Sequence, residues 1–162
     1  MIWMALLFWA QNAAAQQIQR GEAVFLGASG GCAVCHSLKG HGTAIGPDLS
    51  VLGRVGTHAL VTAIRSTATE YVQMVKLKSG ESFPGMPAAS DDRTAQFYDM
   101  SKTPPELRKV DRAEVENTTS QDAWKHPPAI GNLTNQQIAD VVAYIRYTAT
   151  GDPKAVDPDD VE

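Results

Sequence analysis

The sequence predicts a mainly α-helical domain with a small β-hairpin or sheet insertion in its middle. Apolar residues recur at helical spacing in residues 17–28, 57–66 and 133–149. Residues 70–110 are instead rich in β-forming residues and turn signals. A glycine-rich stretch with the motif Cys-x-x-Cys-His lies between the first two helical segments. These observations predict helices toward both ends of the chain and short strands between them.

Composition and charge place the chain among single-domain globular proteins. Of its 162 residues, 43% are hydrophobic and 20% are charged. The formal net charge of −4 leaves no general basic surface for nucleic-acid phosphates. The longest apolar run, residues 2–10, is much shorter than the about 20 residues of a membrane-spanning helix. We therefore expect neither nucleic-acid binding nor a transmembrane span.

Residues 1–15 have the pattern of a secretory signal peptide. An apolar run leads into Ala13-Ala14-Ala15, which gives a cleavage site before Gln16. No Lys or Arg precedes the run, which leaves two alternatives open: a start further upstream, or retention of the segment as a short interfacial anchor. Cleavage predicts a periplasmic or otherwise exported protein.

Capping signals delimit the predicted helices. The first helix ends in a run of glycines, and the second has Thr57 as its N-cap. The third begins with a capping box over Thr134–Gln137 and stops at Gly151. The remaining residues, 151–162, are rich in Asp and Glu and are expected to form a flexible acidic tail.

Strand patterns fill the middle of the chain. Residues 70–87 predict a hairpin, because Tyr71–Lys78 is rich in β-forming residues and Ser79-Gly80 is a turn signal. Further candidate strands cover residues 94–99 and 107–110. We expect these strands to form a small sheet.

The motif Cys32-Ala33-Val34-Cys35-His36 is the strongest chemical signal in the sequence. Two thiols at this spacing can add to the two vinyl groups of one haem, and the histidine that follows can ligate the iron. A disulfide or thioredoxin-like pair would need a strand–helix–strand context, which the pattern lacks. A zinc site would need a second ligand pair, and the chain has no other cysteine. The motif predicts one covalent haem c on Cys32 and Cys35, with His36 as an iron ligand.

With this motif, the sequence resembles a class I c-type cytochrome. The matching segments follow the family's order, and they are Arg20–Phe25, Cys32–His36, Ile45–Leu49 and Leu133–Arg146. The resemblance implies a helical haem domain over residues 16–150. It also implies that the carbonyl of Pro47 accepts a hydrogen bond from the outer ring nitrogen of His36, which would fix the ring's tautomer and orientation.

The resemblance also implies how the ends of the domain meet. Gly21 and Phe25 of the first helix would cross the last helix near Tyr144. An insertion over about residues 68–120 resembles that of variant haem-binding domains in exported bacterial proteins. A structureless loop of this length would be unusual in a compact domain.

The sixth iron position has two candidate ligands. Where the family has a methionine followed by proline ahead of the last helix, this sequence has His126-Pro127. An imidazole can ligate iron, although a thioether gives a higher reduction potential. The alternative is Met86, which precedes Pro87 within the predicted hairpin. An open or water-filled position is the third possibility.

Four further residues are expected to surround the haem. Leu49 and Leu52 supply apolar surface that would exclude water. The indole N–H of Trp124 and the guanidinium of Arg54 are candidates to bind a haem propionate.

The sequence therefore predicts a monohaem c-type cytochrome that carries single electrons between redox partner proteins and is not itself an enzyme. Two alternatives stay open. A haem sensor or peroxidase-like domain would need a displaceable sixth ligand, and carbon monoxide or cyanide binding would reveal it. The electron-accepting subunit of a periplasmic dehydrogenase complex would co-purify with its partner.

Overall fold

The computed structural model describes residues 2–27, 31–66, 69, 71–120, 124–125 and 132–162, and only the backbone of residues 2–12. The chain forms two compact units. One consists of residues 1–65 and 127–162, and the other of residues 66–126.

The described part of the first unit is mainly helical. Its α-helices are α1 (Ile2–Leu26), α2 (Thr57–Arg65) and α3 (Asn135–Thr150). Its shorter elements are the 3-10 helices η1 (Cys32–Val34) and η2 (Leu49–Arg54), a C-terminal 3-10 helix (Pro158–Val161), and the paired strands β1 (Ser37–Leu38) and β2 (His41–Gly42).

Helices α1 and α3 cross at close range. A side-chain carbon at Gly21 would lie 1.9 Å from the backbone oxygen of Asp140, so only glycine permits this approach. The rings of Phe25 and Tyr144 lie 5.5 Å apart between centroids. The guanidinium of Arg20 forms a 2.8 Å ion pair with the buried carboxylate of Asp140. The crossing that the resemblance implies is therefore present.

Capping defines both ends of α3 as the sequence predicts. The Thr134 hydroxyl accepts a hydrogen bond from the Gln137 amide, and the Gln137 side chain accepts one from the Thr134 amide. Gly151 follows the helix in the left-handed conformation, with φ of 79°. Helix α2 differs slightly, because Thr57 is its first residue and its hydroxyl accepts a hydrogen bond from Arg146.

Among the described residues of the first unit, two clusters of buried side chains form the core. One joins α2, α3 and the C-terminal segment, and its members are Leu60, Val61, Ile138, Ala139, Val142, Ala143, Val156 and Val161. The other joins α1, α3 and β1, and its members are Val24, Phe25, Leu38, Val141, Tyr144 and Ile145.

The C-terminal segment is packed, which corrects the expectation of a flexible tail. Val156 and Val161 are buried in the first cluster. The Gln17 side chain donates a 2.7 Å hydrogen bond to the Val156 carbonyl and accepts one of 2.9 Å from its amide. Arg65 donates a hydrogen bond to the Val161 carbonyl. The acidic composition of the segment favoured the prediction of a flexible tail. Burial of two apolar side chains is nevertheless enough to dock so short a segment.

Helix α1 runs without interruption from Ile2 to Leu26, through most of both the predicted signal peptide and the predicted first helix. Among the described residues, no helix combines the length and the hydropathy that crossing a membrane requires. Cleavage before Gln16 stays a prediction.

The second unit contains an antiparallel sheet of five strands in the order β6-β5-β4-β3-β7. The strands are β3 (Gln73–Leu77), β4 (Ser82–Pro87), β5 (Thr94–Asp99), β6 (Glu106–Asp111) and β7 (Val115–Ser120). The predicted hairpin is confirmed as the β3–β4 pair, and the other two predicted strands are confirmed as β5 and β6.

The sheet has an apolar core and a group of charged side chains centred on Arg108. The core side chains are Val75, Leu77, Phe83, Ala95 and Phe97. The guanidinium of Arg108 lies 4.1 Å from the centroid of the Phe83 ring. It also pairs with Glu81 at 2.8 Å and with the buried carboxylate of Asp99 at 3.4 Å.

The expectation of a mainly α chain is wrong, because a five-stranded antiparallel sheet occupies the middle of the chain. The unpredicted strand β7 explains part of the difference. Its sequence, Val-Glu-Asn-Thr-Thr-Ser, has no apolar alternation because five of its six residues are exposed at the sheet edge. Such a strand is specified by pairing with β3 rather than by its own pattern.

Candidate functional site

The Cys-x-x-Cys-His loop follows α1 and is closed in part by hydrogen bonds of its own backbone. Gly31 enters it in the left-handed conformation, with φ of 63°, and η1 covers its first three residues. The Cys32 carbonyl accepts hydrogen bonds from the amides of Cys35, at 3.2 Å, and His36, at 2.8 Å. The loop thereby brings both thiols and the imidazole into one turn of chain.

Both cysteines are half-buried free thiols. Burial raises the pKa of the Cys32 thiol to about 11, and it raises the pKa of the Cys35 thiol as well. Thiol–disulfide catalysts have lowered pKa values, because the thiolate is the reactive form. The environment of these two residues therefore does not favour a dithiol redox centre.

The His36 ring is oriented by a backbone carbonyl. Its Nδ1 lies 2.8 Å from the oxygen of Pro47, as the resemblance implies. A carbonyl oxygen only accepts, so Nδ1 carries the proton and Nε2 carries the lone pair that a metal needs. The hydrogen bond fixes both the tautomer and the ring plane.

Two glycines that the sequence analysis did not single out let the chain close around His36. A side-chain carbon at Gly46 would lie 2.8 Å from Cε1 of His36, and one at Gly42 would lie 2.3 Å from the His36 carbonyl oxygen. Gly42 also has a φ of 87°. The abundance of glycine in this stretch was visible in the sequence, but the residue that the glycines approach was not.

Element η2 follows Pro47 and carries three of the predicted haem contacts. Leu49 is half-buried and packs against the same cluster as Cys32. Leu52 packs against the other cluster, while Arg54 is exposed. The structure thus brings Leu49 and the attachment loop to one cluster. Contacts of all three residues with a haem stay predictions.

The remaining predicted residues are not among the described residues of the first unit. Trp124 is half-buried and belongs to the second unit, and its role with a propionate stays a prediction. His126 lies outside the described residues. Met86 is buried on strand β4, where its register partner is Tyr98. The identity of the sixth ligand therefore also stays a prediction.

The chemistry of the donor set fits a covalently attached haem. Two protonated thiols can add to vinyl groups, and an imidazole with a protonated Nδ1 can ligate iron through Nε2. Among the described residues, no group of three or more His, Cys, Asp or Glu side chains could hold a metal ion by itself.

Comparison with known families agrees with this chemistry. The family model described as Cytochrome c matches residues 18–117, which is more than half of the chain and includes the attachment loop. No curated protein matches the sequence.

Proposed function

The chain belongs to the cytochrome c family, and we propose that it is an exported monohaem c-type cytochrome that carries single electrons between redox partner proteins. The observation that carries the proposal is the Cys32–His36 loop, with the His36 ring held 2.8 Å from the Pro47 carbonyl. Haem-based electron transfer is the function that membership of this family supports.

Three side chains would hold the cofactor. The thiols of Cys32 and Cys35 would each add across one vinyl group, the sulfur to one carbon and the hydrogen to the other, so that attachment would need no oxidant. His36 would ligate the iron through Nε2, while its Nδ1 keeps the proton and donates a hydrogen bond to the Pro47 carbonyl. When bound, a haem iron supplies one-electron oxidation and reduction.

The surrounding residues would set the environment of the cofactor. Leu49 and Leu52 would exclude water, which limits reorganisation during electron transfer. A ligand from the chain in the sixth position would leave no site for a substrate, so specificity would lie in the surfaces that meet partner proteins. We therefore propose a carrier rather than an enzyme, and a periplasmic or otherwise exported location.

Attachment can be tested directly. The full chain, expressed with a haem-attachment system, is denatured and extracted with acid-acetone, and its mass is measured. We expect the chain to retain one haem and to titrate with one electron. The Cys32→Ser, Cys35→Ser double variant should be recovered without haem. Loss of the haem from the wild-type chain on extraction contradicts the proposal.

The same preparation distinguishes the alternatives. A saturated iron should not bind carbon monoxide or cyanide in the protein as isolated, whereas a sensor or peroxidase-like domain should bind them. Co-purification of a dehydrogenase with the chain would identify it as a subunit of a redox complex.

A further inference from the structure

The carbonyl groups of the attachment loop are bonded by a neighbouring segment, Thr43–Gly46. The Ala33 carbonyl accepts a 3.0 Å hydrogen bond from the Thr43 amide. The Cys35 carbonyl accepts hydrogen bonds from the amides of Ile45, at 3.0 Å, and Gly46, at 2.6 Å. We call this segment the brace. Backbone hydrogen bonds from the brace thus connect the attachment loop to a segment that follows it in the chain.

One side chain of the brace takes part in this bonding. The Thr43 hydroxyl donates a bifurcated hydrogen bond, which the Ala33 carbonyl, at 2.8 Å, and the Val34 carbonyl both accept. Ala33 and Val34 are the two residues that separate Cys32 from Cys35. The Thr43 hydroxyl therefore acts on two of the three peptide groups that link Cys32 to Cys35.

The far end of the brace touches the imidazole. The Gly46 backbone lies so close to the His36 ring that a side-chain carbon there would be 3.0 Å from Nδ1. The next residue, Pro47, provides the carbonyl that holds Nδ1. A shift of the brace would therefore move both the backbone beside the ring and the carbonyl that accepts its hydrogen bond.

We propose that Thr43 is a positioning residue for haem attachment and for His36. By bonding the Ala33 and Val34 carbonyls, its hydroxyl holds the brace against the loop, and the brace in turn orients the His36 ring. The proposal rests on the proposed function for the role of this orientation in iron ligation, whereas the ordering of the loop is measured by amide exchange, which needs no signal from the iron.

The test compares Thr43→Val, which removes only the hydroxyl, with Thr43→Ser, which keeps it. The matched control is Thr62→Val, because the exposed Thr62 also donates to a backbone carbonyl, that of His58 in α2. Amide hydrogen exchange of the full chain is measured at Thr43, Ile45 and Gly46. We expect exchange to become about 2- to 12-fold faster in Thr43→Val, as for the loss of one hydrogen bond. Thr43→Ser should show the wild-type exchange rates at these amides, and Thr62→Val should leave the rates unchanged.

The second measurement is the reduction potential of the haem-loaded variants. A weaker hydrogen bond from Nδ1 to the Pro47 carbonyl makes the imidazole a less basic ligand. The potential should therefore rise in Thr43→Val and return to the wild-type value in Thr43→Ser. The expected change in the equilibrium constant for reduction is up to about tenfold, which corresponds to about 59 mV for one electron.

Each outcome bears on a different part of the proposal. If amide exchange is unchanged in Thr43→Val, the Thr43 hydroxyl does not hold the brace against the loop, and the proposal is overturned. Faster exchange with an unchanged potential overturns the positioning role and leaves Thr43 a structural residue. A wild-type chain without attached haem contradicts the proposed function instead, and the exchange rates then still decide whether Thr43 orders the loop.

Discussion

The imidazole of His36 shows how one backbone oxygen can determine the chemistry of a side chain. A neutral histidine can carry its proton on either nitrogen. The Pro47 carbonyl, 2.8 Å from Nδ1, selects one tautomer and leaves Nε2 as the ligating atom. The environment likewise determines the protonation state of the two thiols, because burial raises their pKa values and keeps them protonated at neutral pH.

The sixth ligand gives a prediction at the scale of single residues. If His126 ligates the iron, the oxidised protein should be low-spin without the weak near-infrared absorption of a methionine–iron bond. Its potential should then be low for a monohaem cytochrome. His126→Met should raise the potential, because axial ligands help to move haem potentials over about 0.8 V and a thioether favours the reduced iron. Visible and near-infrared spectra and a redox titration measure both effects.

Two further variants complete this experiment. His126→Ala should open the iron to exogenous ligands, whereas Met86→Ala should leave the spectrum unchanged. A sulfur–iron band in the wild type that disappears in Met86→Ala would assign the ligand to strand β4 and would contradict the prediction.

Asp99 gives a second prediction at this scale, on pH. Its buried carboxylate accepts hydrogen bonds from the Ser101 amide, at 3.0 Å, and hydroxyl, at 2.6 Å. Burial by itself raises the pKa of Asp99, but the hydrogen bonds from Ser101 and Arg108 outweigh it and the net pKa is lowered. A lowered pKa adds stability above the unfolded-state value of about 3.9, and this stability is lost as pH falls through the folded-state pKa.

Asp99→Asn should therefore destabilise the sheet by about 1.5–3 kcal/mol at neutral pH, as for a hydrogen bond to a charged group. The difference from the wild type should shrink as the pH falls below about 4. Denaturant unfolding at several pH values measures it. Asp92→Asn, which removes an exposed carboxylate, is the control. A difference that is constant down to the lowest pH would show that the Asp99 charge contributes nothing.

At the scale of elements, glycines determine how closely segments approach. Gly21 permits the crossing of α1 with α3, and Gly46 permits the brace to contact His36. At Gly53 in η2, a side-chain carbon would lie 2.3 Å from the Cβ of Ala149 in α3. The close packing of Gly53 on Ala149 holds η2 against the end of α3. It thereby also positions Leu49 and Leu52, which belong to η2.

The docked C-terminal segment gives a prediction at this scale. Val161→Ala should lower the free energy of unfolding by about 1.5–3 kcal/mol, because the side chain is fully buried and its loss leaves a cavity. Val51→Ala is the matched control, since Val51 lies in another 3-10 helix and is 75% exposed. Denaturant unfolding compares the two variants. Equal effects would mean that the segment is not docked in solution.

At the scale of the whole molecule, the two units have separate cores. The clusters of the first unit include residues of its helices, and the cluster of α1, α3 and β1 is packed against Cys32 and Leu49. The cluster of the second unit lies within the sheet. Each core contains its own aromatic pair, Phe25 with Tyr144 and Phe83 with Phe97.

We therefore expect the Cys32→Ser, Cys35→Ser variant to lose order in the first unit alone. Amides of α1 and α3 should exchange at least about tenfold faster without attached haem, because a bound cofactor stabilises the state that binds it. Amides of β3–β5 should keep their wild-type rates. Asp99→Asn is the reciprocal control, with faster exchange confined to the sheet. Equal acceleration in both units would show that they unfold as one.

The sequence by itself determined the local features of this protein. The cysteine–histidine spacing, the capping box at Thr134 and the β-forming run of β3 depend on residues close together in the chain, so pattern and propensity are sufficient for them. The order of motifs also led to the correct family and to the Pro47–His36 hydrogen bond.

Only the tertiary structure decided the features that depend on distant partners. Strand β7 exists because β3 pairs with it, and the acidic C-terminus is ordered because Val156 and Val161 find a core formed by α2 and α3. The mainly α expectation failed for the same reason, since edge strands are stabilised by their neighbours more than by their own residues. The role of Thr43 likewise depends on which carbonyls lie beside it, and only the folded chain shows them.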